Sequence, residues 1–106
     1  MTQPRITVDE VRAAYAKCGM KPLRGGWITP DGCCCPQVAL LLSEFPDSID
    51  WMDFITPAAQ QWGSGYAEGF RNGVDGAKNL NCEHDGYRQG FIDGVAVAAA
   101  IFGDTP

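Results

Sequence analysis

One decapeptide occurs twice near the end of this chain. Residues 65–74 read GYAEGFRNGV and residues 86–95 read GYRQGFIDGV, so six of the ten positions match. The spacing is helical: in each copy the tyrosine, the phenylalanine and the last glycine recur on one face. Gly65, Gly69 and Gly73 follow one another every four residues, as do Gly86, Gly90 and Gly94. A glycine inside a helix costs roughly 0.8–1.0 kcal/mol relative to alanine. Six of them need an offset, and close backbone approach between helices is the physical one. The repeat therefore predicts two antiparallel helices, about 58–76 and 86–102, pressed together along their glycine stripes. Two alternatives stay open. Each stripe packs on another element of the same chain, or one stripe is exposed and serves as an interaction surface for a second copy.

The rest of the chain predicts a compact, mainly α domain of four to five helices with a minor β element. At 106 residues it can bury one modest core, so residues 1–106 are read as a single domain. Thr7 and Glu10 form a capping-box pair, Ile6 and Val11 stand at the staple positions, and Gly19 with Pro22 closes the segment, giving a helix over 8–18. Pro30-Asp31-Gly32 is a turn sequence, with β-prone Trp27, Ile28 and Thr29 before it, which predicts a short β-hairpin near 26–35. Pro36 suits the first turn of a helix, and PQVALLLSEF (36–45) is apolar nearly all round, so that helix is expected to be central. A further short helix is expected over SIDWMDFI (48–55). Thr56-Pro57 opens the next, and Gly63-Ser64-Gly65 leaves open whether it runs straight on or breaks there.

The GYxxGFxxG runs resemble the glycine-repeat helices of flagellar and type III secretion stator proteins. The resemblance covers about ten residues, twice. The long charged coiled coil that such a protein needs is missing from this chain.

Chemistry-bearing residues are few. The five cysteines are Cys18, Cys33, Cys34, Cys35 and Cys82. An odd count does not close a disulfide framework, and neighbouring cysteines bridge each other poorly. Cys33, Cys35, Cys82 and His84 are ligand types that Zn²⁺ accepts, and a Cys₃His-type site is one reading of them. The spacing is not the usual pair of Cys-x-x-Cys knuckles, and the simpler reading is buried hydrophobes. Cys35, at a helix N-cap, is the candidate reactive thiol, with His84 as a conceivable base. Asn81 to Ile92 fails as a calcium loop, because Ile92 stands where a bidentate glutamate is required. The aromatic residues Trp27, Trp51, Trp62, Tyr66, Phe70, Tyr87 and Phe91 are expected in the core rather than around a ligand.

A net charge of −5 disfavours nucleic acid and anionic membranes as partners. MTQPRITVDE shows no secretory pattern, and the longest apolar run, Val95 to Phe102, is far short of a bilayer span of about 20 residues. The expectation is a cytoplasmic, non-catalytic interaction or accessory protein with no cofactor, binding a protein partner or itself. The alternative is a zinc or reactive-thiol protein built on the Cys33–Cys35 cluster.

Overall fold

The computed structural model describes residues 5–23, 27–44, 54–76 and 86–103. The helix expected over 48–55 falls almost wholly outside the described residues, as do Trp51, Cys82 and His84. Five helices and two very short strands are described, in the order α1 (Val8–Cys18), β1 (Lys21–Pro22), β2 (Cys33–Cys34), α2 (Pro36–Glu44), α3 (Ile55–Trp62), α4 (Ser64–Asp75) and α5 (Tyr87–Phe102). The mainly α expectation holds.

α1 starts as its sequence dictates. The Thr7 hydroxyl oxygen accepts the Glu10 N–H at 3.2 Å, and the hydroxyl itself donates to the Glu10 carboxylate at 3.1 Å. At the far end the Gly19 N–H donates to the Tyr15 carbonyl at 2.9 Å. Ile6 and Val11 are both buried, as the staple requires.

The β element is richer than a hairpin. Thr29 to Gly32 is a turn closed by the Gly32 N–H on the Thr29 carbonyl at 3.2 Å, with Gly32 at φ +88°. Ile28 bridges Cys34 in antiparallel fashion. On the other side, β1 pairs with β2 in parallel, Lys21 opposite Cys33 and Pro22 opposite Cys34. Cys34 thus sits at the middle of three short extended segments, and the Tyr15 hydroxyl donates to its carbonyl at 2.7 Å.

α2 lies at the centre, with residues 36–43 all buried, and packs on α1, α3 and α4. The one long polar side chain in its buried stretch, Gln37, donates from Nε2 to the Ala67 carbonyl at 3.1 Å. The expected helix 58–76 is two helices. Gly63, at φ +86° and ψ +143°, breaks the line between α3 and α4, a conformation that side-chain-bearing residues avoid.

The largest packing interface joins α4 and α5, and here the structure corrects the sequence reading: the helices run parallel, not antiparallel. A methyl group placed on Gly69 would strike the Tyr87 carbonyl and lie 3.0 Å from the Phe91 nitrogen, whereas one on Gly73 would strike the Phe91 carbonyl and lie 3.0 Å from the Val95 nitrogen. Residue numbers rise together along both helices, so the direction is unambiguous. The contact is reciprocal. Gly90 faces Tyr66 and Phe70, and Gly94 faces Phe70 and Val74, each displaced by the same 21 residues as the repeat. The eleven residues from Gly76 to Gly86 separate the helices. Such a length reaches up to about 36 Å when extended, ample to return along a helix of about 18 Å.

Candidate functional site

The two repeats build a local twofold arrangement, and its polar members mark the most elaborate site in the chain. Tyr66 and Phe70 stack with ring centroids 6.4 Å apart and planes at 19°; Tyr87 and Phe91 do the same at 6.4 Å and 23°. Each tyrosine then reaches across to the eighth residue of the other repeat. The Tyr66 hydroxyl donates to Asp93 Oδ2 at 2.6 Å, and Asn72 Nδ2 donates to the Tyr87 hydroxyl at 2.8 Å. Asn72 and Asp93 occupy equivalent positions, as do Glu68 and Gln89, chemically similar matches that identity alone did not reveal.

Asp93 is buried and ties the start of the chain to this pair. Arg5 grips it with two donors, Nε to Oδ2 at 3.1 Å and Nη2 to Oδ1 at 2.8 Å. Gln89 Nε2 adds a third contact to Oδ1 at 3.0 Å. The Tyr66 hydroxyl meanwhile accepts the Ile6 N–H at 2.7 Å. Burial pushes the Asp93 carboxyl upward, but the hydrogen bonds from Arg5, Tyr66 and Gln89 outweigh it and hold the group below its usual value. Burial and the bond to Asp93 drive the Tyr66 phenol the other way, well above its ordinary range. A carboxylate offers about four acceptor sites. Arg5 fills two, Tyr66 and Gln89 the others, which leaves nothing with which Asp93 could take a proton from a substrate. This constellation fastens the chain start to the repeat pair.

The cysteines divide by environment. Cys35 is the N-cap of α2: its carbonyl accepts the Ala39 N–H at 2.9 Å, and the backbone amides of Val38 and Gln37 favour its thiolate form. Burial nevertheless pushes its thiol up to about 12, against those amides. The N-cap position was expected to lower it, and desolvation wins. Cys34 is also pushed up to about 12, first by burial and then by the neighbouring thiols of Cys18, Cys35 and Cys33. These are packed, protonated thiols rather than nucleophiles. Of the four proposed zinc ligands, Cys33 and Cys35 are described and Cys82 and His84 are not. Among the described residues no group of three His, Cys, Asp or Glu side chains is placed to hold a metal ion.

The glycine stripes face inward. Gly69, Gly73, Gly90 and Gly94 are buried between α4 and α5, Gly65 is buried, and Gly86 stands half-buried before α5. A second copy has no access to the four that line the contact, so the exposed-stripe alternative is replaced by packing within the chain.

Two surface features remain. Trp27 stacks on Phe54 at 5.8 Å, and the Arg71 guanidinium lies over its ring at 5.1 Å. Beside them opens a mostly apolar cleft with a volume of about 130 Å³, lined by Trp27, Gln37, Ala58, Ala67 and Glu68. That is less than half the lower end of ordinary ligand pockets, roughly 300 Å³. Trp62, Tyr66, Phe70 and Tyr87 are core residues, as expected. The second feature is the outer side of α5. Ile92, Val95, Ala96, Ala99 and Ala100 are all exposed and recur at helical spacing. This face was missed in the sequence, although its signal was there: eight consecutive apolar residues, 95–102, cannot all face one side of a helix.

Comparison with protein-family models, with curated proteins and with solved structures gave no match. No helix among the described residues is long and apolar enough to cross a membrane.

Proposed function

We infer that this chain is a small, non-catalytic interaction or accessory protein of the cytoplasm, which engages a protein partner or another copy of itself through the outer face of α5. One observation carries the reading. Ile92 and Val95 are 54% and 42% exposed, beside three exposed alanines on the same side of the helix. A contiguous apolar helix face that the described residues leave uncovered is a usual mark of an association surface. The absence of free acid, base or nucleophile in the Asp93 and Cys35 environments points the same way. The net charge of −5 favours a protein over nucleic acid as the partner.

The test is site-specific photo-crosslinking in cells that make the protein. A benzophenone amino acid replaces Ala96 on α5 or, as control, the exposed Ala13 on α1. The reading expects a discrete protein adduct, to this chain or another, from position 96 alone. No adduct at 96, or the same adducts at both positions, overturns it.

A further inference from the structure

The two repeats show what an occupied outer face looks like and what a bare one looks like. Ala67, Phe70 and Val74 of α4 are buried, with α2 and α3 packed on that helix. Their counterparts on α5, 21 residues later, are Arg88, Phe91 and Val95: exposed, half-buried and exposed. Ile92, the counterpart of half-buried Arg71, is exposed as well. Among the described residues the same scaffold is covered by helices on one side and left open on the other.

The bare face has a polarity of size and of charge. Its N-terminal half carries the large side chains, Ile92 and Val95, and its C-terminal half the small ones, Ala96, Ala99 and Ala100. Its charged residue, Arg88, sits in the first turn of α5, where the helix dipole disfavours a cation. The last turn, capped by Gly103, holds no basic residue to offset the partial negative charge there. A surface with large and positive at one end, small and negative at the other, is complementary to itself when reversed.

We propose that the outer face of α5 binds the same face of a second copy of this chain, the two α5 helices crossing antiparallel near Ala96. This rests on the reading of α5 as an association surface and names its occupant. Antiparallel pairing sets Ile92 and Val95 over the partner's alanine shelf, and carries Arg88 to the negative end of the partner's helix. A parallel pair would instead place Arg88 against Arg88 and Ile92 against Ile92. A twofold axis closes the assembly at two copies. One helix face is smaller than the roughly 800 Å² per partner of a standard stable interface, so the pair dissociates on dilution.

Sedimentation equilibrium of the full chain, kept reduced, tests this across a hundredfold range of concentration. The weight-average mass is expected to climb from 11.4 kDa toward twice that value. Ala96→Glu places like charges together at the crossing and is expected to hold the mass at the monomer value, with an unchanged circular-dichroism melt. Ala13→Glu on α1 should leave the association intact. Benzophenone at Arg88 should mark the partner near Gly103. A wild type that stays monomeric, a dimer indifferent to Ala96→Glu, or an Arg88 adduct at the partner's residue 88 each overturns the proposal. A monomer in solution together with a position-96 adduct to a different protein removes the second copy and keeps the association surface. A monomer with no adduct removes both.

Discussion

Val74 and Val95 hold the same place in the two copies of the repeat, yet one is 2% exposed and the other 42%. Between α4 and α5 the copies are treated alike: glycine faces backbone, tyrosine reaches the opposite Asn or Asp, and each Tyr–Phe pair stacks in the same way. Away from that seam they part. The outer side of α4 became part of the core beneath α2 and α3, while the outer side of α5 kept apolar residues that no described element covers. The difference teaches that the repeat specifies a seam, and that the surroundings decide the role of everything else on the helix.

The hardest blow to the comparison falls on the seam. Gly69→Ala and Gly90→Ala should each cost about 3 kcal/mol or more, since the new methyl meets backbone that cannot rotate away. By propensity alone both changes would stabilise by roughly 0.8–1.0 kcal/mol, so the sign itself is diagnostic. Equal losses in chemical denaturation would show that the copies are equivalent there. A loss at only one of them would break the symmetry.

Next in size is the outer side. Val74→Ala should lower stability by about 2 kcal/mol, from lost burial and the gap left behind, and Val95→Ala by less than about 0.5 kcal/mol. Similar losses from the two would mean that α5 is covered after all.

The smallest contrast concerns a chemical asymmetry within the seam, Asp93 where the other copy has Asn72. Asp93→Asn is expected to cost about 1–2 kcal/mol through weakened contacts with Arg5 and Tyr66. The pH dependence follows from the depressed carboxyl. Because its folded pKa lies below the unfolded one, its stabilisation is complete above the unfolded value. It is lost as the pH falls through the depressed folded value. Acid titration of unfolding should show this component in the wild type and not in Asp93→Asn.

Much of this was legible in the sequence because its signals are local. Thr7, Glu10 and Gly19 marked α1 through backbone bonds made within a few residues. Pro36 with an all-round apolar segment announced a buried helix, and the glycines announced a close helix contact. The direction of that contact was not legible, because a stripe every four residues suits a partner running either way. The hint lay in the length of the link, since antiparallel helix pairs usually need only two to eight residues between them. The role of Gln37 was hidden too: nothing local reveals that its amide meets the carbonyl of Ala67, 30 residues on. The Asp93 site combines residues 5, 6, 66, 89 and 93, a set that only the folded chain brings together.

Arg5 and Asp93 stand 88 positions apart and form an ion pair. During synthesis the first of them leaves the ribosome long before the second exists. Until α5 emerges, the glycine-rich side of α4 has no seam to fill, and Tyr66 has no carboxylate to accept its hydrogen bond. Residues 5 and 6 must therefore remain unfastened until α5 has been made, and closure of the fold waits on a contact between segments far apart in the sequence.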